Sequence, residues 1–355
     1  MTKHLLIGSV EATSGKSATI LGIGSQLLEK GISFTYAKPL GTCYNKNNVE
    51  LDLDFINSVM SLGSTASLQP LLSLDDETIA KRISGEDATN YGEAISEYLK
   101  TDSDLILLEG AGNLSEGRIF DLSLTQIAEK INAKVLLVAR YHSLEVVESI
   151  LKAKDDLREQ LIGVIINDIP AEDLNSLQSK LEPFLENQGI SVLGMLPSNK
   201  ILRSISVRQI AEQLSAKVLC CQDHLDLMVE TLTVGAMNVS SAMEYFRQRE
   251  NMAVVTGGGR TDLQLAALET STNCLILTGH VPPQELTINR AKELGVPIMS
   301  VELDTLSTIE IVDRAFGNVR IQEPIKVQCI KYLMAKYFAI DKLLEKLELK
   351  PAVTA

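Results

Sequence analysis

The chain has 355 residues, with 33 Lys+Arg against 46 Asp+Glu for a formal net charge of −13, and is 45% hydrophobic and 22% charged. That balance excludes a disordered chain, and the length suits two domains of roughly 100–200 residues each. The acidity speaks against nucleic acid or an anionic membrane as the main partner, because the phosphate field rewards basic faces.

The N-terminus, Met1-Thr2-Lys3-His4-Leu5-Leu6-Ile7-Gly8, carries a short apolar run that stops at a glycine. It reads as a first strand, not a signal peptide. No later stretch reaches the roughly 18–20 uncharged apolar residues of a membrane helix, so a cytoplasmic protein is expected. The five cysteines (Cys43, Cys220, Cys221, Cys274, Cys329) show no CxxC spacing, which points to neither a disulfide framework nor a zinc site. Vicinal Cys220 and Cys221 read as core packing more readily than redox chemistry.

Short apolar runs predict strands at 4–10, 33–39, 104–109, 134–140, 161–167 and 191–197. Several are continuous Leu/Val/Ile runs, as in Leu105-Ile106-Leu107-Leu108 and Val135-Leu136-Leu137-Val138, which suits strands buried on both faces of a parallel sheet. Amphipathic stretches at 16–30, 122–131 and 144–157 alternate with them. The fold class is therefore α/β, a doubly wound, mostly parallel sheet. The rhythm resumes at smaller scale with strands at 253–256, 274–278 and 297–302, each followed by a helix (261–269, 283–294, 305–315). A smaller α/β domain is expected there. From 325 to 349 one amphipathic helix is predicted, packing on its own domain or pairing with a second copy in a homo-oligomer.

The strongest local signal is Gly8-Ser9-Val10-Glu11-Ala12-Thr13-Ser14-Gly15-Lys16-Ser17, between the first strand and the first helix. A P-loop wraps backbone N–H groups around phosphate oxygens at a helix N-terminus. Its Lys reaches the β/γ-phosphates and its Ser hydroxyl binds Mg²⁺. Thr13, Ser14, Gly15, Lys16, Ser17 and Ala18 are the candidate phosphate contacts, although Val10 stands where the strict motif has glycine. Glu109 ends a buried strand at the edge where open α/β sheets bind ligands, and is a candidate Mg²⁺ ligand together with Ser17. Lys38-Pro39-Leu40-Gly41 ends the second strand at the same edge. Lys38 is either aimed across the crevice at an anion or an ordinary surface lysine. Asp52 and Asp54, at a helix start, are a second source of metal carboxylates or plain surface acids.

Together Glu11…Gly15-Lys16-Ser17, Lys38-Pro39-Leu40-Gly41 and Glu109-Gly110-Ala111-Gly112 resemble the dethiobiotin synthetase-like branch of P-loop proteins. The related cell-division ATPases carry a signature lysine where this chain has Glu11. The resemblance implies ATP and Mg²⁺ as cofactors and adenine recognition by Asn167. It also implies Lys16 and Lys38 as the catalytic lysines, the latter holding a carboxylate or carbamate. Val234-Gly235-Ala236-Met237 and Val254-Val255-Thr256-Gly257-Gly258-Gly259-Arg260-Thr261-Asp262 resemble a DRTGG domain, with Gly259 in place of its acid. Read from the residues alone, this glycine-rich turn either binds an anion or closes a tight turn.

The implied organisation is a P-loop nucleotide-binding domain at 1–215, a DRTGG domain at 216–322 and a C-terminal helix at 323–355. It is similar to the N-terminal regulatory part of long-form bacterial phosphotransacetylases, whose acetyl-transferring domain is not expected within these residues. Three functions compete: a Mg-ATP-binding regulatory sensor, with or without slow ATPase activity, with a metabolite or protein effector at the DRTGG domain; an ATP-dependent ligase acting on a small carboxylate; and a scaffold that has lost nucleotide binding.

Overall fold

The computed structural model describes residues 2–42, 44, 49–62, 66–317, 321 and 323–350. The chain divides into two compact units, 1–198 with 322–355, and 199–321. The expected boundary near 215 thus falls earlier, and the C-terminal segment belongs to the first unit.

In the first unit β1 (Lys3–Ser9) runs into α1 (Lys16–Glu29), followed by β2 (Phe34–Ala37), β3 (Leu40–Gly41), α2 (Leu51–Met60), β4 (Ser67–Leu68), β5 (Leu72–Ser73), α3 (Asp76–Ser84) and α4 (Tyr91–Tyr98). Then come β6 (Leu105–Glu109), α5 (Leu124–Lys130), β7 (Lys134–Arg140), α6 (Val146–Leu157), β8 (Leu161–Ile169), α7 (Leu174–Asn187) and β9 (Val192–Pro197). Seven strands form one sheet in the order β4-β2-β6-β1-β7-β8-β9, all pairs parallel. The Leu/Val/Ile runs of β1, β6 and β7 are buried on both faces, as a parallel sheet between helix layers requires. Helices α3 and α4 are absent from the periodicity reading: α3 buries none of its residues, so it prints no apolar stripe.

The second unit contains α8 (Lys200–Arg203), β10 (Ile205–Ser206), α9 (Val207–Gln213), β11 (Lys217–Cys220), β12 (Met228–Val229), β13 (Thr231–Gly235), α10 (Val239–Phe246), β14 (Met252–Gly257), α11 (Thr261–Leu268), β15 (Thr272–Thr278), α12 (Glu285–Leu294), β16 (Ile298–Ser300) and α13 (Thr305–Gly317). Its five-stranded sheet has the order β11-β16-β15-β14-β13, parallel except for the β11–β16 pair. Cys274 is buried in its core and burial pushes that thiol up to about 12, while Cys221 rises to about 11 through burial and its neighbour Cys220. Thiols shifted upward are poor nucleophiles at neutral pH.

The single helix expected at 325–349 is two, α14 (Pro324–Tyr337) and α15 (Ile340–Leu347). Phe338 breaks them apart by turning extended and bridging to Gly194 in the edge strand β9; the Ala339 amide donates to the Leu193 carbonyl (2.8 Å). Helix α14 lies on α1, where Gly22 permits the approach, since a Cβ there would collide with Met334. The apolar stripe of Ile330, Leu333, Met334, Leu343 and Leu344 is buried within this unit, so it is used inside the chain and is not free for a second copy.

This packing gives a stability test. Leu343 is fully buried and Tyr332, one helix earlier, is 61% exposed. Leu343→Ala should lower the stability of the first unit by about 2–5 kcal/mol, and Tyr332→Ala should change it by no more than about 0.5 kcal/mol. Urea-dependent hydrogen exchange at the β9 amides checks both.

Candidate functional site

The site forms at the C-terminal edge of the parallel sheet, where β1, β2 and β6 release their loops. After Ser9 the chain turns through residues 10–15 onto the N-terminus of α1. Two residues adopt left-handed backbone, Thr13 (φ 56°) and Gly15 (φ 101°). Alternating hands of this kind curl successive N–H groups into an anion-binding concavity. Gly15 is needed twice over, since any side chain would be strained at that φ and its Cβ would strike the Asn167 amide. Val10, the departure from the strict motif, packs half-buried against the core of the sheet. Ser14 is fully buried and its hydroxyl donates to the Glu11 carbonyl (2.7 Å), while Thr13 is exposed and Ala18 half-buried on α1.

Lys16 folds back along the loop. Its Nζ donates to Ser9 Oγ (2.9 Å) and lies 3.5 Å from the Gly112 carbonyl. Burial pushes its pKa below the ordinary lysine value, against the pull of Glu109 and Glu116. Ser17 Oγ donates to Glu109 Oε1 (2.9 Å), and the buried Tyr36 hydroxyl donates to Glu109 Oε2 (2.6 Å). Burial and the adjacent carboxylate push the Tyr36 phenol up, so it stays protonated and remains a donor. The loop after β6 is closed by Glu116, whose carboxylate accepts from the Gly112 amide.

Lys38 does not lie on the surface. It is buried and its Nζ donates to Glu50 Oε1 and Asp52 Oδ2, both at 2.5 Å. Burial opposes its charge, yet Glu109, Asp52 and Glu50 outweigh that and hold its pKa above the usual lysine value. Glu50 also caps α2, accepting the Leu53 amide on Oε2 (2.8 Å). One carboxylate thus fixes both the helix start and the lysine. Asp54 is exposed, so of the two acids only Asp52 joins the network.

Asn167, at the end of β8, reaches the loop from the other side, its Nδ2 donating to the Ser14 carbonyl (2.9 Å). Glu11 in the loop meets His142 (2.8 Å) across the mouth. Most of the residues singled out from sequence therefore converge: Gly15, Lys16, Ser17, Lys38, Asp52, Glu109 and Asn167. Ser9, Tyr36, Glu50 and Glu116 escaped that reading. Tyr36 left one signal: two residues before Lys38 in a buried strand, it shares that lysine's side of the sheet.

The residues fit a magnesium ion brought in with a nucleotide. Among the described residues no group of three or more His, Cys, Asp or Glu could hold a metal by itself. Mg²⁺ usually takes one or two protein ligands and completes its shell with waters and phosphate oxygens. Ser17 and Glu109, already in contact, are such a pair.

A parallel sheet whose first strand passes through a glycine–lysine–serine loop onto a helix N-terminus, with a strand-end carboxylate on the loop's hydroxyl, defines a P-loop NTPase-like protein. An AAA-domain family model matches residues 3–206 and a DRTGG-domain model matches residues 209–315. The first covers more than half of the chain, and the chain belongs to that AAA-domain family, with a DRTGG domain following. It is 28% identical to the phosphate acetyltransferase of Synechocystis over 76% of this chain and 40% of that protein. To the phosphate acetyltransferase of Nitratidesulfovibrio vulgaris it is 24% identical over 97% of this chain and 51% of that protein. The chain thus spans about half, or less, of the length of these relatives. A solved structure of the CBS and DRTGG domains of Clostridium perfringens pyrophosphatase with diadenosine tetraphosphate aligns at 18% identity and a TM-score of 0.30, over 50% of this chain and 88% of that one. The pairing of a dethiobiotin synthetase-like P-loop domain with a DRTGG domain, expected from the motifs, is present. Among the described residues no helix is long and apolar enough to cross a membrane.

The Lys38 network makes a sharp prediction. Lys38→Met strands the Glu50 carboxylate in the interior and should destabilise the first unit by about 3–5 kcal/mol, with Glu50→Gln in the same chain recovering part of the loss. Because the folded Lys38 pKa is raised, its contribution is fully present below the ordinary lysine pKa and is lost only as pH climbs through the raised value. Measured against the Lys38→Met, Glu50→Gln double variant, which leaves no stranded Glu50 carboxylate, the difference in unfolding free energy should therefore stay flat from pH 6 to 9, as urea melts across that range would test.

Proposed function

We propose that the first unit binds Mg-ATP at the phosphate loop, and that the chain is a nucleotide-dependent regulatory module whose DRTGG unit receives a metabolite or protein effector. The observation carrying this reading is the convergence of Lys16, Ser17 and Glu109 at one sheet edge. Lys16 is half-buried and, among the described residues, is satisfied by a hydroxyl and a distant carbonyl alone. Phosphate oxygens would be better partners, since charge-assisted hydrogen bonds are roughly twice as strong as neutral ones. Ser17 and Glu109 would hold the magnesium, while Asp52 is engaged by Lys38. When bound, the metal would neutralise charge on the phosphates; this chain's part is to orient them through the loop amides and Lys16. Adenine recognition by Asn167 would require its amide to leave the Ser14 carbonyl.

The ligase reading assigns Lys38 to a carboxylate acceptor. Against it stands the pairing of Lys38 with two carboxylates of the chain itself, which an acceptor would have to displace. The degenerate scaffold rests on Val10, which packs half-buried against the core of the sheet.

Calorimetric titration of Mg-ATP, Mg-ADP and Mg-GTP tests the proposal. Wild type should bind adenine nucleotides saturably, and Lys16→Ala should weaken them by about tenfold or more, the loss of one charge-assisted contact. Asn167→Ala should narrow the preference for adenine over guanine. Absence of binding to wild type would leave the scaffold reading.

A further inference from the structure

The end of β8 carries a backbone irregularity that the phosphate loop itself does not require. Between the pairs Ile166–Met195 and Ile169–Pro197 the register of β8 against β9 slips, so that Asn167 and Asp168 stand against the one residue Leu196. This is a β-bulge, and bulges beside ligand sites re-aim a side chain. Asp168 sits in the left-handed region (φ 66°), a conformation that disfavours every residue but glycine, asparagine and aspartate least. Strain of this kind persists only where the surroundings over-determine it.

Three contacts do so here. Arg140 Nε donates to Asp168 Oδ2 (2.8 Å), and both side chains are largely withdrawn from water, at 30% and 14% exposed. Arg140 lies opposite Asn167 in the register of β7 against β8, so the ion pair runs from the residue facing Asn167 to the residue after it. The Tyr141 amide donates to the Asn167 carbonyl (2.8 Å) on the β7 side, and the Ser198 amide to the Ile169 carbonyl (2.6 Å) on the β9 side. The backbone at Asn167 is thereby held from both neighbouring strands, which leaves its side-chain torsions as the remaining freedom. That side chain reaches the Ser14 carbonyl (2.9 Å) and passes so near Gly15 that a Cβ there would collide with it. An amide with so little clearance depends on where its backbone is held.

We propose that Arg140 and Asp168 are positioning residues for base selection: their ion pair locks the bulge and so holds Asn167 where its amide can turn from the Ser14 carbonyl to the edge of a bound adenine. The role rests on the nucleotide reading above, while the lock itself is a property of the empty site. Asparagine offers a donor and an acceptor side by side, which match the ring nitrogen and amino group of adenine. A guanidinium and a carboxylate suit a lock because their hydrogen bond is charge-assisted and directional.

The test compares Mg-ATP with magnesium tripolyphosphate, which carries the phosphates without the base, by calorimetry on the full chain. Arg140→Met and Asp168→Gly each remove the lock, and glycine accepts the left-handed backbone without strain. Both should weaken Mg-ATP by about fivefold or more and change tripolyphosphate by no more than about twofold. Asp168→Asn, which keeps an acceptor and tolerates the same backbone, should lose less than Asp168→Gly. In a chain already carrying Asn167→Ala, Asp168→Gly should cost no further affinity, because it acts through the missing amide. Without ligand, the Asn167 side-chain amide resonance, identified by its disappearance in Asn167→Ala, should move in both lock variants. The proposal is overturned if Mg-ATP and tripolyphosphate weaken together, if both variants bind Mg-ATP undiminished, or if Asp168→Gly still costs affinity beside Asn167→Ala. Should wild type bind no nucleotide, the functional reading falls separately, and an Asn167 resonance unmoved in both variants would overturn the lock.

Discussion

Burial of β1 between β6 and β7 is the constraint on which the rest of the first unit depends. All three strands are parallel, and their Leu, Val and Ile side chains are enclosed on both faces. Parallel pairing sends every connection across the sheet by way of a helix, so the C-terminal ends of the strands open on one edge. Ser9, Lys38 and Glu109 are brought to the same place because each ends or follows a strand of this set. Their sequence separations of tens of residues are irrelevant once the register is fixed. Ile7 sits opposite Glu109, which places the carboxylate two residues short of the level at which the phosphate loop begins to turn.

That logic explains what could be read from the sequence. Gly15-Lys16-Ser17 and Glu109 were legible because each depends on a local pattern, a strand followed by a turn with a particular residue type. The α/β class was legible for the same reason: apolar runs without alternation mean strands buried twice. Tyr36 and Glu50 were not. The Tyr36 hydroxyl matters only through Glu109, 73 residues away, and no pattern within β2 reports a partner on β6. Glu50 combines two roles, cap of α2 and partner of Lys38, and its identity as a site residue appears only when Lys38 is seen to be buried. The C-terminal helix failed differently. Its apolar spacing continues through 338, and the break arises from Phe338 pairing with the edge strand β9, a tertiary contact that periodicity does not encode.

The two lysines of the site show how one fold can hold the same side chain in opposite electrostatic states. Lys38 faces two carboxylates at 2.5 Å, and its positive charge is compensated within the protein. A buried pair of this kind costs desolvation on both sides and stabilises little relative to an apolar replacement; its value lies in fixing geometry, here the start of α2 relative to β2. Lys16 is half-buried, and its hydrogen bonds run to a serine hydroxyl and, at longer range, a carbonyl, while desolvation dominates its shift.

A charge desolvated without a counter-charge in contact is the less stable of the two arrangements. The imbalance is relieved by any anion that reaches the loop, and the loop's own amides and the α1 dipole attract the same ligand. Lys16, not Lys38, therefore marks the open side of the site: it is incomplete where phosphate would enter and closed where an acceptor carboxylate would sit. This asymmetry favours a module that binds nucleotide over one that passes its phosphoryl group to a second substrate. On the same edge Glu109 faces Ser17 and Tyr36 at once, a carboxylate held in position by two hydroxyl donors.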